Sequence, residues 1–221
     1  FSFDGKNQQR FTTKEGLDHE VVTALAEDSL GRILIGYENG KVGFIQNGII
    51  ELFPFEEGHA TKPVSDILFD KKGNLWFSTL NDGLYYFVSN RLYRVDEAEG
   101  MPDLYIYDLE EDLQGNIWVG TDGGAAVCTL NGTKISIDVI NYDDGLPDNI
   151  VKKIIIQDEH KILMATEDAG IVRYDSRSDR HISSLNSSWS YGPVSDFAMK
   201  DSKLWIGCPQ RGLLVYDLQT N

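Results

Sequence analysis

The sequence predicts an all-β protein, a β-propeller of five repeats in which each repeat of about 42 residues folds as a four-stranded antiparallel blade. Three observations predict this fold. One motif recurs five times at a nearly constant interval, and each repeat contains short apolar or aromatic runs separated by turn residues. No segment keeps a helical apolar period over the length of an ordinary helix.

The period is marked by a large apolar residue in the second predicted strand of each repeat. Its steps are 42, 42, 45 and 42 residues along the series Leu34, Trp76, Trp118, Leu163 and Trp205. A small residue follows two positions later in every copy, and a glycine ends each copy of the motif. The closing glycines are Gly40, Gly83, Gly124, Gly170 and Gly212. Five matched copies predict five copies of one structural unit.

The other strands of each repeat are predicted from β-branched and aromatic runs bounded by Gly, Asp, Asn or Pro. The first strands are expected in the apolar runs that begin at Val21, Val64, Tyr105, Val151 and Val194. Third strands are expected in runs such as GLYYF from Gly83, and fourth strands in weaker runs such as RLYRV from Arg91.

The segment GNIWVGTDGG at residues 115–124 is predicted to be structural. Asp112 to Asn116 reads as a hairpin turn between the first and second strands, with glycine supplying a positive φ. Trp118 is expected to pack between neighbouring blades, and Gly120 to let their backbones approach closely. Phosphate-binding loops need a following helix, and none is predicted here.

We expect one domain over residues 1–221, with an excerpt of a longer propeller array as the alternative. The predicted repeats span about 14–57, 58–99, 100–144, 145–188 and 189–221, with residues 1–13 supplying an outer strand. The aromatic–Asp pair at Phe3-Asp4 reads as the end of a third strand, followed by a fourth. Two arrangements stay open: Arg10 to Thr12 complete the fifth blade and close a ring, which we favour, or the chain is part of a longer array.

Composition limits the classes of partner. A net charge of −15 argues against a nucleic-acid or anionic-membrane partner, since phosphate binding needs clustered Lys and Arg. No apolar run is long enough to span a membrane, and the N-terminus lacks the pattern of a signal peptide, so a cytosolic and an exported location both stay open. Cys128 and Cys208 are expected to be free thiols, although a single bridge stays open, and no Cys or His spacing indicates a metal or another cofactor.

The motifs GLPDNIVKKI (145–154), DLQGNIWVGTDGG (112–124), GIVRYD (170–175) and GLLVYD (212–217) resemble the two-component regulator propeller repeat. The likeness covers nearly the whole chain. The first copy departs from it at Tyr37, where a Thr is typical, and the fourth has His160 and Lys161 in place of Gly-Asn. The resemblance implies a periplasmic sensor region of a bacterial, often hybrid, histidine kinase that controls polysaccharide use, with the kinase in other domains.

Ligand-binding residues are expected in the second-to-third-strand loops and the inter-blade loops, because function in repeat folds is carried by such loops. Aromatic faces, amides and carboxylates suit an oligosaccharide. The candidates are Tyr37, Asn39, Asn81, Asp82, Tyr105, Asp122, Glu167, Trp189, Tyr191, Gln210 and Arg211. Asp and Asn at such positions are also common turn formers, and Trp189 and Tyr191 could equally pack on a neighbouring blade.

The expected function is non-catalytic: a ligand alters the geometry towards a neighbouring propeller or dimer partner. A protein-interaction scaffold, for example in secretion, is the alternative. A propeller glycosidase or lyase is the third reading, and it would need two carboxylates at a set separation. The Asp-to-Gly spacing of the repeat differs from that of a sialidase Asp-box, and no arginine triad is evident.

Overall fold

The computed structural model describes residues 2–3, 5–6, 8–55, 59–177, 181–185 and 189–219. Within those ranges the chain is all-β, with 21 strands and three single-turn 3-10 helices. No helix among them is long and apolar enough to span a membrane. The chain divides into two compact units, residues 1–94 (unit 1) and residues 95–221 (unit 2), and each is described in turn.

Unit 1 begins with a hairpin of two short strands, β1 (Ser2–Phe3) and β2 (Gln8–Gln9), followed by a 3-10 turn at Thr13–Glu15. Two antiparallel sheets come next. Blade 1 is formed by β3 (Val22–Glu27), β4 (Ile33–Tyr37), β5 (Val42–Gln46) and β6 (Ile49–Leu52). Blade 2 is formed by β7 (Val64–Phe69), β8 (Leu75–Thr79), β9 (Leu84–Val88) and β10 (Arg91–Val95), whose last residue is the first of unit 2.

Unit 2 contains three sheets. A 3-10 turn at Glu97–Glu99 precedes the first sheet, and a 3-10 turn at Tyr142–Asp144 lies between the first and second sheets. Blade 3 is formed by β11 (Ile106–Glu111), β12 (Ile117–Thr121), β13 (Gly124–Asn131) and β14 (Lys134–Ile140). Blade 4 is formed by β15 (Val151–Ile156), β16 (Lys161–Thr166), β17 (Gly170–Asp175) and β18 (His181–Ser184). Blade 5 is formed by β19 (Asp196–Lys200), β20 (Lys203–Cys208) and β21 (Gly212–Asp217).

The predicted fold class, an all-β propeller of five repeated antiparallel blades, is confirmed. In each sheet consecutive strands are neighbours, so the strand order follows the sequence. Blades 1 to 4 have four strands, and blade 5 has three among the residues described. All strands of a blade fall within its predicted repeat, while the grouping of the five repeats into one domain stays a prediction.

The outer strand expected at Arg10 to Thr12 is not formed, because these residues lie outside any strand. Thr12 instead caps the first 3-10 turn: its hydroxyl accepts from the Lys14 amide, and its own amide donates to Glu15. The preceding hairpin of β1 and β2 agrees with the prediction that the N-terminus provides the end of a third strand and then a fourth.

The first-to-second-strand turn of blade 3 is organised by the buried carboxylate of Asp112. Its Oδ1 accepts from the Gln114 and Asn116 amides at 2.9 and 2.8 Å. Its Oδ2 accepts from the Asn116 side chain at 2.9 Å and the Trp118 indole at 3.1 Å. Asp70 makes the same four contacts in blade 2. The recurring Asp, Asn and Trp therefore form one hydrogen-bonded unit that fixes the turn and orients the indole.

Threonines organise the next turn of the blades. Thr79, Thr121 and Thr166 end the second strands of blades 2, 3 and 4, and each hydroxyl donates to the carbonyl of the closing glycine at 2.8 to 3.0 Å. All three are fully buried. The Thr of the repeat motif is thus a structural residue of the second-to-third-strand turn.

The core of each unit lies between facing blades. In unit 1, Leu34 and Val42 of blade 1 pack with Val64, Ile67 and Phe77 of blade 2. In unit 2, Trp118 of blade 3 packs with blade 4, with its ring 5.4 Å from that of Tyr174 in an edge-to-face arrangement. A second cluster joins blades 4 and 5. The predicted packing of Trp118 between neighbouring blades is confirmed.

Both cysteines are free and buried. Burial raises the pKa of the Cys128 thiol to about 12 and also raises that of Cys208. Because the thiolate is the reactive form, we expect neither thiol to react with a disulfide reagent at neutral pH in the native protein, and both to react in denaturant. Titration of thiols with and without urea tests this expectation; rapid reaction of the native protein would contradict the burial.

Candidate ligand-binding site

The first strand of blades 1 to 4 carries an irregularity near its start. The pairing register shifts at the residue after Val22, Val64, Ile106 and Val151. A bulge leaves one residue unpaired and redirects its side chain. In unit 2 the redirected residues are Tyr107 and Lys152, whose long side chains can reach beyond their own strands.

These two side chains join two predicted site residues in a group that we call the Lys152 cluster: Tyr107, Asp122, Lys152 and Glu167. The Lys152 ammonium lies 3.7 Å from the centre of the Tyr107 ring and 3.3 Å from Oε2 of Glu167. The Tyr107 hydroxyl donates to Oδ1 of Asp122 at 2.6 Å. All four side chains are partly exposed, so the cluster is accessible to a ligand.

The protonation states in the cluster follow from these contacts. Burial, and then the hydrogen bond to Asp122, raise the pKa of Tyr107 above its ordinary value. Burial acts to lower the pKa of Lys152, but the contacts with Tyr107 and Glu167 outweigh it and the pKa is raised. Near neutral pH the cluster therefore presents a neutral phenol and a protonated amine beside two carboxyl groups.

A second polar pair lies next to the cluster along the same strands. Lys153 donates to Oδ1 of Asp108 at 2.5 Å, and the Ile154 amide donates to Oδ2 at 2.7 Å. Asp108 is 3% exposed, and burial raises the pKa of its carboxyl although Lys153 opposes the shift. Both carboxylate oxygens are used inside the protein, so this pair links blades 3 and 4 and does not face a ligand.

The predicted ligand-binding residues of unit 1 make structural contacts. Tyr37 was expected in a loop, and this is wrong: it is the last residue of β4 and is 0% exposed, packed with Leu17 and Ile35. Its ring fills the position that the small capping Thr occupies in other blades. The Asn39 side chain donates to Asp18 at 2.9 Å, and its Oδ1 accepts from the Lys41 amide.

The remaining two candidates of unit 1 belong to the second-to-third-strand turn of blade 2. Asn81 is exposed and has a φ of 77°, which its turn requires. Asp82 accepts from the Thr61 amide and the Tyr85 hydroxyl, both at 3.0 Å, and lies 3.2 Å from Arg94. These contacts favour the alternative that such residues shape turns.

In unit 2 an aromatic pair lies close to the turn that carries Glu167. Trp189 and Tyr191 are in edge-to-face contact with ring centres 5.2 Å apart, and the Trp189 indole donates to the Gly192 carbonyl at 2.7 Å. The indole covers Gly170, the residue that closes the Glu167 turn, so closely that a Cβ there would lie 2.3 Å from the ring. Trp189 therefore packs on blade 4, whereas the Tyr191 ring is 38% exposed.

The other candidates of unit 2 are exposed. Tyr105 is 42% exposed, and its carbonyl accepts from the Asp122 amide at 3.3 Å, which places it beside the Lys152 cluster. Gln210 and Arg211 are exposed in the turn between β20 and β21. The structure thus brings Asp122, Glu167 and Tyr105 together around two residues that the loop-based prediction missed, Tyr107 and Lys152. The consecutive lysines in the apolar run VKKIII were the available signal.

Two segments of the chain, residues 58–81 and 100–123, match the sequence model of the family described as two component regulator propeller. Parts of blades 2 and 3 thus resemble two-component regulator propeller repeats. This confirms the resemblance seen in the motifs. Part of the chain is also 37% identical, over 78 residues, to Histidine kinase P4 of Formosa agariphila; the match covers 32% of this chain and 6% of the kinase.

Solved structures of similar fold include two extracellular domains from B. thetaiotaomicron. That of the putative hybrid two component system BT3049 has a TM-score of 0.70 at 14% identity, and the alignment covers 96% of this chain and 36% of that domain. That of the putative one component system BT4673 has a TM-score of 0.71 at 15% identity and covers 92% and 28%. This chain thus spans about a third of the length of these domains.

Other proteins of similar fold have different activities. Virginiamycin B lyase from Staphylococcus aureus has a TM-score of 0.64 at 14% identity, covering 89% of this chain and 70% of the lyase. PorZ, a type-IX secretion component of Porphyromonas gingivalis, has a TM-score of 0.67 at 13% identity, covering 90% and 32%. Likeness at this identity shows the fold alone.

Proposed function

We propose that the chain is a non-catalytic, extracytoplasmic sensory module of a two-component signalling protein, and that it binds an oligosaccharide at the Lys152 cluster. The observation that carries the proposal is the meeting of Tyr107, Asp122, Lys152 and Glu167 at one end of two adjacent blades, the first of which includes part of the matched segment 100–123. The likeness to extracellular domains of two-component proteins supports a periplasmic location.

The chemistry of the cluster suits a saccharide. Carboxylates and an ammonium can exchange hydrogen bonds with hydroxyl groups, and exposed aromatic rings stack on the apolar face of a sugar. Tyr105 borders Asp122, and Trp189, which contacts Tyr191, packs on Gly170 at the end of the turn that carries Glu167. Such a ligand would contact blades 3 and 4 together and favour the arrangement in which both are correctly placed.

The contacts of the acidic groups support a binding role over hydrolysis. A glycosidase needs an acid with a raised pKa that faces the substrate, together with a second carboxylate. Asp108 does have a raised pKa, but it is 3% exposed and both of its oxygens accept hydrogen bonds. Asp122 and Glu167, which are accessible, are already held by Tyr107 and Lys152.

The proposal predicts a ligand-induced shift of the melting temperature in a screen of plant and host oligosaccharides. A ligand at 100 times its Kd adds about 2.7 kcal/mol to the free energy of unfolding. For a domain of this size the melting temperature then rises by roughly 5 to 10 °C. We expect Lys152→Met and Tyr191→Ala each to weaken binding of that glycan about tenfold, since each removes a direct contact at the site.

One substitution serves as a matched control. Lys134→Met removes an exposed lysine of β14 that pairs with Asn131, at the end of blade 3 away from the cluster. This variant should bind as the unsubstituted chain does. Unchanged affinity in Lys152→Met and Tyr191→Ala would place the site elsewhere. A cooperative melt that no glycan shifts would favour a protein-interaction scaffold.

A further inference from the structure

The Lys152 cluster already holds one ammonium group, that of Lys152 itself. This group lies 3.7 Å from the centre of the Tyr107 ring and 3.3 Å from Oε2 of Glu167. An ammonium is attracted to the electron-rich face of an aromatic ring and to a carboxylate, and both attractions are stronger where water is partly excluded. The cluster therefore shows which pair of groups holds a cation at this end of blades 3 and 4.

A second ring and carboxylate lie beside this pair. The Tyr105 carbonyl accepts from the Asp122 amide at 3.3 Å, so the two residues are adjacent in blade 3. Tyr105 is 42% exposed and Asp122 is partly exposed. Oδ1 of Asp122 accepts from the neutral Tyr107 hydroxyl, and Oδ2 accepts no hydrogen bond from the residues that the structure describes. This oxygen is therefore available to a donor on a ligand.

The fold does not require an aromatic ring and a carboxylate at these two positions. The backbone bond between Asp122 and Tyr105 recurs in blades 1, 2 and 4 with other side chains. Its donors there are Glu38, Leu80 and Glu167, and its acceptors are Val21, Pro63 and Ile150. Because aliphatic residues serve as well at both positions, neither the exposed ring nor the carboxylate of blade 3 is needed to hold the loop.

Negative charge predominates around the cluster. Among the described residues of blades 3 and 4, Lys152 is the basic side chain at this end that is not held by a buried carboxylate, since Lys153 is paired with Asp108. Arg211 is exposed in the corresponding turn of blade 5. The carboxyl groups at this end of the two blades are those of Asp103, Asp122, Asp148, Glu167 and Asp168. Their field attracts a cationic ligand and repels a carboxylated or sulfated one.

We propose that the glycan bound at the Lys152 cluster carries a protonated amino group, as an unacetylated amino sugar does, and that this group is held between the Tyr105 ring and the Asp122 carboxylate. The inference rests on the proposed function and names the class of its ligand. The ligand's ammonium donates to Oδ2 of Asp122. Lys152 has three N–H donors and can still donate to a sugar hydroxyl while it contacts Glu167.

Isothermal titration calorimetry with three oligosaccharides of one linkage tests this ligand class, below neutral pH so that the sugar amine is protonated. Chitosan hexaose and cellohexaose differ by an amino group in place of one hydroxyl per sugar, and a cellouronate of the same length carries carboxylates instead. We expect chitosan hexaose to bind about tenfold more tightly than cellohexaose, because it adds a charge-assisted hydrogen bond, and the cellouronate to bind most weakly.

Substitutions at the two residues should remove this preference. Asp122→Asn keeps an acceptor for the Tyr107 hydroxyl but loses the charge, so it should bind chitosan hexaose and cellohexaose alike. Tyr105→Leu should weaken chitosan binding about fivefold, whereas Tyr105→Phe keeps the ring and should bind as the unsubstituted chain does. Glu159→Gln is the control for overall charge, since Glu159 is exposed in the turn at the opposite end of blade 4.

Equal binding of chitosan hexaose to the unsubstituted chain and to Asp122→Asn or Tyr105→Leu would overturn the inference, because the attraction would then come from the overall charge of −15. A neutral or acidic glycan that binds at least as tightly as chitosan hexaose and loses affinity in Lys152→Met would also overturn it, while upholding the proposed function. Absence of binding by every glycan in this series and in the melting-temperature screen would overturn both.

Discussion

Replacing Trp118 by Ala should lower the stability of unit 2 by about 3 to 5 kcal/mol, the usual cost of removing a buried Trp. Trp118 is 4% exposed, packs on Tyr174 and donates to Asp112 at 3.1 Å. Its loss leaves a cavity between blades 3 and 4 and removes one of the four hydrogen bonds that hold the Asp112 turn. Urea denaturation followed by circular dichroism measures the change.

Trp205→Ala is the matched control, because Trp205 holds the same repeat position in blade 5 but is 42% exposed. The cost of Trp205→Ala should stay below about 1 kcal/mol. Equal losses in the two variants would show that burial between blades is not the source of the stability. Glycan binding at the Lys152 cluster should also weaken in Trp118→Ala, since blades 3 and 4 carry the site together.

Gly120→Ala should destabilise unit 2 by about 3 kcal/mol, at the upper end of the range for overpacking. A Cβ at Gly120 would lie 2.6 Å from the carbonyl oxygen of Val151 and 3.2 Å from its side chain. The obstacle is the backbone of the first strand of blade 4, which cannot rotate away, so the two blades must separate. The midpoint of urea unfolding should fall without a change in its slope.

Gly207→Ala provides the comparison for Gly120→Ala at the equivalent position of blade 5. There a Cβ would meet the Ser195 hydroxyl at 3.1 Å and the Asp196 carbonyl at 3.5 Å. A hydroxyl can rotate, so the cost should stay under about 1 kcal/mol. If Gly120→Ala proved as mild as Gly207→Ala, the close approach of blades 3 and 4 at this glycine would not be required.

The structural residues were predictable because their roles are local or repeat along the chain. Asp112, Asn116 and Gly120 lie within nine residues of one another, and their spacing recurs in other copies, so a turn and a close approach could be inferred. Tyr37 was misplaced because it stands where the repeat has a Thr, and the sequence did not show that a large ring fills the core there.

The ligand site was only partly predictable, because it depends on contacts between residues far apart in sequence. Asp122 and Glu167 were selected as loop residues, but Lys152 comes from a strand and reaches Tyr107 of the preceding repeat, 45 positions earlier. The bulges that redirect both side chains leave no clear mark in the sequence. The two lysines of the run VKKIII suggested a polar position in this strand, but the sequence did not show that Lys152 contacts Tyr107.

The sequence by itself determined the repeat, its strand pattern and its turn chemistry, since each is encoded by residues close together that recur along the chain. The tertiary structure alone decided which side chains meet across blades and that Arg10 to Thr12 form no strand. The physical reason is the packing of sheets: a period of two residues places a side chain on a face, but only the neighbouring sheet decides what covers it.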